Sequence, residues 1–110
     1  MLEYRLELSA TMTLSIRAEF CIISAWDSGK LIGLINALDD GVMTAYVHFL
    51  LVNPIYQGVG VGKELLQMVK DKYRDYLRIV LVADGNEAGF YQSNGFDIAK
   101  DTVAMFINRF

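Results

Sequence analysis

The run from Val52 to Leu66, V-N-P-I-Y-Q-G-V-G-V-G-K-E-L-L, constrains this chain more than any other stretch. A β-branched and aromatic segment ends at Val52, and Pro54 stops it because proline has no N–H to give to a sheet ladder. Glycines then stand at alternate positions, Gly58, Gly60 and Gly62, and an amphipathic helical pattern begins. The order is strand, tight glycine turn, helix. Such a turn exposes N–H groups at the positive end of a helix, which suits a phosphate or pyrophosphate.

Two familiar nucleotide motifs do not fit. The P-loop needs four residues between its first glycine and Gly-Lys, then Ser or Thr. Here three residues separate Gly58 from Gly62, and Glu64 follows Lys63, where an acid would repel a triphosphate. The dinucleotide pattern G-x-G-x-x-G fails on spacing, since the run reads G-x-G-x-G.

At 110 residues the chain is expected to form a single domain spanning 1–110, with 54% hydrophobic residues to supply its core. A net charge of −3 argues against nucleic acid as a partner, which wants a basic face. No apolar run reaches membrane-spanning length and no signal-peptide pattern opens the chain, so no membrane partner is expected. Cys21 is the single cysteine and cannot form an internal disulfide, which fits a reducing, cytoplasmic setting; within Phe20–Ala25 it reads as a small core residue. With no Cys/His cluster, no metal is expected.

Along the chain, residues 2–8 alternate apolar and polar as a half-buried strand does. The alternation continues weakly through Met12, Leu14 and Ile16, which allows an extended arm. Ser9 as a cap, with Met12, Ile16 and Phe20 at helical spacing, favours instead a short helix near 10–18. Strands at 19–26, 30–38 and 42–52, separated by Asp27-Ser28-Gly29 and Asp39-Asp40-Gly41, make an antiparallel meander. Val61, Leu65, Met68, Val69, Tyr73 and Tyr76 form one buried helical face, so both tyrosines read as core. Ile79 to Ala83 is a continuous apolar strand, expected to be buried on both faces and parallel to the one before the helix. Two turns of helix fit 86–93, and Asn94-Gly95 breaks them. A final strand is expected at 102–108, with a short one at 96–99.

Gln57, Gly60 and Gly62 after V-N-P-I-Y match the pattern Q/R-x-x-G-x-G/A, and F-Y-Q-S-N-G-F at 90–96 matches F/L-Y-x-x-x-G-F. With the hairpin S-A-W-D-S-G-K-L-I-G-L, these resemble the GNAT superfamily, the Gcn5-related N-acetyltransferases, over about residues 20–107. The resemblance implies an α/β fold of mixed-sheet, GNAT-like type: an antiparallel meander, then a βαβ unit whose strands part after the glycine turn. Family members usually carry two helices between the first strand and the first hairpin. About ten residues stand there in this chain, so the N-terminal helical region is expected to be shortened.

By that resemblance the chain is an N-acyltransferase that moves an acetyl group from acetyl-CoA to a primary amine by direct attack. The alternative is a GNAT-like module that holds acyl-CoA or a partner protein without turnover. Coenzyme A would lie on Gln57, Gly58, Val59, Gly60, Val61, Gly62 and Lys63, and its pantetheine arm along Leu50, Leu51 and Val52. Asn86 resembles an asparagine that often binds the same cofactor. The oxyanion donor would be an N–H near Leu51, where the family's strand bulges. Tyr91 takes the place of the family's general acid, and a phenol with pKa near ~10 is protonated at neutral pH.

A base must also take a proton from the amine. His48 is the only histidine; Tyr46, two residues earlier on the same strand, points to the same face. Both positions carry a base in parts of the superfamily, although a lone histidine in an apolar strand is usually structural. Asp84 is a rival, and Trp26 could wall the acceptor site or simply pack. The short N-terminus and the alternating segments Leu2–Ile16 and Val103–Phe110 predict a homodimer with two-fold symmetry.

Overall fold

The computed structural model describes residues 1–13 and 16–109, with side chains for all of these except 9–13 and 16–18. Five strands, β1 (Leu2–Thr13), β2 (Ile16–Asp27), β3 (Lys30–Asp39), β4 (Thr44–Val52) and β5 (Arg78–Leu81), lie in sequence order in one sheet. The first three pairings are antiparallel, and β4–β5 is parallel. Helix α1 (Val61–Lys72) makes the crossover, and a short helix α2 (Ala88–Ser93) follows β5. This is the mixed α/β fold expected from the sequence.

Helix α1 lies on one face of the sheet. Cys21, Ile23, Ala25, Ile35, Ala37, Ala45 and Val47 meet its Val61, Leu65, Leu66 and Val69, and all are buried. Burying a residue such as Leu65 contributes about 1.5–3 kcal/mol before entropy is counted. The helix can sit this close because β3 has no side chain at Gly33. A Cβ there would stand 3.1 Å from the Leu51 carbonyl oxygen and 3.3 Å from Val61.

The far end of α1 is anchored by polar contacts. Buried Asp39 accepts from the hydroxyls of Tyr73 and Tyr76, each at 3.0 Å, and from Gly41 N–H at 2.8 Å. Lys72 pairs with Glu19 at 2.7 Å.

Three expectations are corrected. Residues 10–13 and 16–18 are not helical: the β1–β2 ladder runs without a break from Leu2↔Asp27 to Thr13↔Ile16. A helix of nine residues is marginal by itself, whereas each ladder pair extends a hairpin already formed. The stretch thought to be buried on both faces is an edge, with Val80 and Val82 exposed. Residues 96–109 contain no strand, and Val103, Met105, Phe106 and Ile107 are mostly exposed. A β-favouring composition makes a strand only where a neighbour completes the ladder. Among the described residues no helix is long and apolar enough to cross a membrane.

Candidate active site

The parallel pairing of β4 with β5 covers only Thr44–Val47 against Arg78–Leu81. Beyond Val47 the two part, and the gap becomes a cleft of about 270 Å³ lined by Leu50, Val52, Gln57, Gly62, Glu87, Phe90 and Tyr91. One wall is the last stretch of β4, the other is α2, and the glycine turn lies at α1's N-terminus.

A one-residue bulge at His48 shapes the β4 wall. Ala37 pairs with Val47 and Asn36 with Phe49, which leaves His48 without a partner on β3. Side chains alternate along a strand, so the extra residue reverses which of them face α1. Val47 faces the core before the bulge, and Leu50 and Val52 pack against it after the bulge. Phe49 and Leu51 point away and are 50% and 56% exposed.

The main chain alternates as well. Asn53 N–H donates to the Ile32 carbonyl at 2.7 Å, so Leu51, two residues back, also turns its N–H toward β3. Leu50 and Val52 turn theirs into the cleft, where Gln57 Nε2 donates to the Val52 carbonyl at 3.4 Å. The cleft-facing N–H groups are thus those of Leu50 and Val52, one residue either side of Leu51.

At the turn, Gly58 and Gly60 hold φ of 83° and 93°, the left-handed region that favours glycine. A Cβ at either would meet nothing within 4 Å, so backbone conformation rather than crowding selects glycine there. The first α1 bond runs from Glu64 N–H to the Gly60 carbonyl at 3.0 Å. The N–H groups of Val61, Gly62 and Lys63 precede it and are available to an anion. The donor set fits a pyrophosphate.

The opposite wall is built by F-Y-Q-S-N-G-F. Gly95, at φ 96°, ends α2 so that Gly95 N–H reaches the Gln92 carbonyl at 3.2 Å and Phe96 N–H the Tyr91 carbonyl at 3.0 Å. This helix-ending pair of bonds brings the residue after the glycine back against the first of the last turn, and the Phe96 ring duly stands against Tyr91. Lys70 Nζ donates to the Asn94 carbonyl at 2.7 Å and ties α2 to α1. Burial, and secondarily the Glu87 carboxylate, push the Tyr91 phenol above its ordinary pKa, so it stays protonated at neutral pH.

Residues 2–96 match the acetyltransferase (GNAT) family. The chain belongs to that family. It is 38% identical over 71 residues to an uncharacterized ycf52-like N-acetyltransferase of Prochlorococcus marinus, covering 63% of this chain and 39% of that protein. It is 40% identical over 70 residues to the chloroplastic GCN5-related N-acetyltransferase 2 of Arabidopsis thaliana, covering 62% of this chain and 27% of that protein. The chain therefore spans well under half the length of these relatives. Among solved structures, a GNAT-family acetyltransferase of Streptococcus pneumoniae superposes with a TM-score of 0.74 at 31% identity, over 81% of this chain and 71% of that one.

In this GNAT chain, Leu50, Val52, Gln57, Gly62 and Tyr91 share the cleft. Gly58, Val59 and Gly60 are exposed in the turn that leads into α1, and Lys63 is exposed on its first turn. Asn86 is exposed in the 3-10 turn Gly85–Glu87, next to the cleft residue Glu87. His48 and Tyr46 lie outside the cleft lining. Their rings are 5.8 Å apart, and His48 stacks on Phe49 at 3.9 Å, on the face away from α1. Asp84 is exposed at the start of the 3-10 turn. Trp26 donates from Nε1 to Ser24 Oγ at 2.9 Å, with the Arg5 guanidinium 4.3 Å over its ring.

Sequence reasoning passed over Glu87 and Asn36. The first stands four residues before Tyr91, the spacing that brings two side chains together on a helix. The second is a lone amide in the apolar stretch from Leu31 to Leu38. Among the described residues no group of three or more His, Cys, Asp or Glu could hold a metal ion.

Proposed function

We propose that this chain is an N-acyltransferase that moves an acetyl group from acetyl-CoA to a primary amine of a small molecule or peptide. The observation that carries this reading is the cleft between β4 and Tyr91, adjoining the unpaired N–H groups of Val61, Gly62 and Lys63. Those groups and the backbone around Gly58 and Gly60 would hold the pyrophosphate. The cleft-facing N–H groups of Leu50 and Val52 would pair with the pantetheine arm and the thioester oxygen. Acetyl-CoA supplies an activated acyl group whose carbonyl an amine can attack directly.

The chain's own groups do the rest. The Leu50 N–H would donate to the acyl oxygen as negative charge develops on it. Tyr91, kept protonated by burial, donates to the departing sulfur. The bulge holds His48 beside Tyr46 at the strand where the acceptor would arrive, so this pair is proposed to take the amine's proton, directly or through water. The exposed Leu38, Phe49 and Leu51 on the sheet face away from α1 favour assembly with a second copy, and we propose a two-fold homodimer.

Free thiol released from acetyl-CoA in the presence of a panel of amines, polyamines and peptides tests the reaction. Coenzyme A binding with no thiol release from any amine would overturn catalysis and leave a binding module.

A further inference from the structure

The bulge on β4 decides which side chains enter the cleft, and one buried side chain bonds to it. Asn36 is 7% exposed and sits mid-strand in β3, opposite Phe49. Its Oδ1 accepts from the Phe49 N–H at 2.9 Å. Phe49 is the residue that follows the extra position, where a bulge disrupts the ladder and leaves main-chain groups in need of other partners. A strand-interior amide is otherwise a poor choice: Asn is depleted in sheets, and its neighbours on β3 are Ile35 and Ala37, both fully buried.

The consequence reaches the cleft. Were β4 regular past Val47, the period of two would turn Phe49 and Leu51 toward α1 and Leu50 and Val52 away from it. The cleft-facing N–H groups would exchange in the same way, since main-chain direction alternates with the side chains. The bulge is the single feature that brings Leu50 and Val52 to the wall facing Tyr91. It has a cost in ladder regularity at Phe49, and there the Asn36 side chain supplies an acceptor that the regular ladder would not. An aliphatic residue at position 36 would leave this N–H without that acceptor, and the regular register would then compete.

We infer that Asn36 is a positioning residue for the acyl-donor site: by accepting the Phe49 N–H it holds the bulge, and the bulge sets the facing of Leu50 and Val52. This rests on the reading that the cleft takes acetyl-CoA, and the experiment separates the two. Asn36→Leu removes the acceptor at similar volume; Asn36→Asp keeps an oxygen at the same reach.

Two readouts are taken on the full chain. Amide hydrogen exchange at Phe49 and nuclear Overhauser contacts between the Val52 methyls and the Gly62 α-protons, which stand close together here, report the bulge without any ligand. Calorimetry with coenzyme A, and KM against kcat for acetyl-CoA, report the site. In Asn36→Leu the Phe49 amide is expected to lose protection while neighbouring β3 amides keep theirs. The Val52–Gly62 contact disappears, and coenzyme A affinity falls about tenfold or more, the scale of a small misplacement of binding groups. The loss appears in KM more than in kcat, and Asn36→Asp restores Phe49 protection and most of the affinity.

An Asn36→Leu protein with an intact Val52–Gly62 contact and wild-type affinity overturns the inference. So does an Asn36→Asp protein that behaves as Asn36→Leu does. If Asn36→Leu does not fold, Asn36→Ser takes its place with the same expectations. Wild-type protein that binds no coenzyme A refutes the proposed function alone, because the exchange and contact readouts still decide what Asn36 does.

Discussion

The ring of Tyr91 is backed by that of Phe96: their centroids stand 6.0 Å apart at 78°, and Phe96 N–H donates to the Tyr91 carbonyl at 3.0 Å. The tyrosine is therefore fixed at its main chain and at its ring, with the cleft in front of it. Tyr91→Phe keeps that packing and removes only the hydroxyl. Turnover is expected to fall roughly 10²–10⁴-fold, the usual range for a lost general acid, with coenzyme A affinity unchanged. A phenol that donates must be protonated, and burial raises its pKa, so the alkaline limb of the wild-type pH–rate profile should lie above the ordinary tyrosine range. Stopped-flow thiol release against pH checks both, and a mutant with wild-type turnover would reduce Tyr91 to packing.

Gly60 precedes α1 at φ 93° with open space around it. Gly60→Asp would add about 1–2 kcal/mol of backbone strain and a negative charge beside the N–H groups of Val61 and Gly62. Coenzyme A binding should be lost while circular dichroism stays native. Calorimetric affinity equal to wild type would remove the turn from the site.

His48→Gln retains a polar side chain but cannot take a proton. If His48 is the base or its relay, the acid limb of the pH–rate profile should disappear and the plateau should drop. A profile identical to wild type would shift the role to Tyr46 or Asp84.

Asp39, Tyr73 and Tyr76 tie α1 to the sheet. Burial raises both phenols most; the bond to Asp39 comes next for Tyr76, which is pushed up to about 12, and follows the neighbouring Cys21 for Tyr73. A raised folded pKa means that this contribution is complete below the unfolded tyrosine value of ~10 and is lost as pH climbs toward the folded one. Urea midpoints should therefore hold to about pH 10 and decline beyond it. Asp39→Ala leaves the buried Tyr73 hydroxyl without its acceptor and should cost about 1–3 kcal/mol at pH 7. A midpoint shift near zero would show that water replaces the carboxylate.

For assembly, light scattering at micromolar concentration should return twice the 12.4 kDa chain mass. Leu51→Lys, on the open sheet face, should shift the mass toward the monomer. A wild-type monomer, with or without acetyl-CoA, would refute the dimer and favour a large acceptor such as a peptide.

Much of this architecture was legible from local pattern. Val-Asn-Pro, the alternate glycines and the amphipathic stripe act within a few residues of themselves, so strand, turn and helix follow from main-chain conformation and periodicity alone. F-Y-Q-S-N-G-F is equally local: Gly95 ends a helix and folds Phe96 back on Tyr91 within one turn. What the sequence left open depends on partners distant along the chain. Residues 10–13 and 16–18 satisfy a helical spacing and a strand alternation about equally, and only pairing across the β1–β2 hairpin decides between them. Thr102–Asn108 has the composition of a strand but pairs with no strand among the described residues, so composition misleads there. The bulge at His48 is invisible to alternation, because it is defined by β3 offering one residue where β4 offers two. Local sequence thus determined the strand–glycine turn–helix unit and the helix-ending turn at Gly95. The facing of Leu50 and Val52 across from Tyr91, on which the site depends, was decided by tertiary structure, because a period of two carries no phase until another strand supplies one.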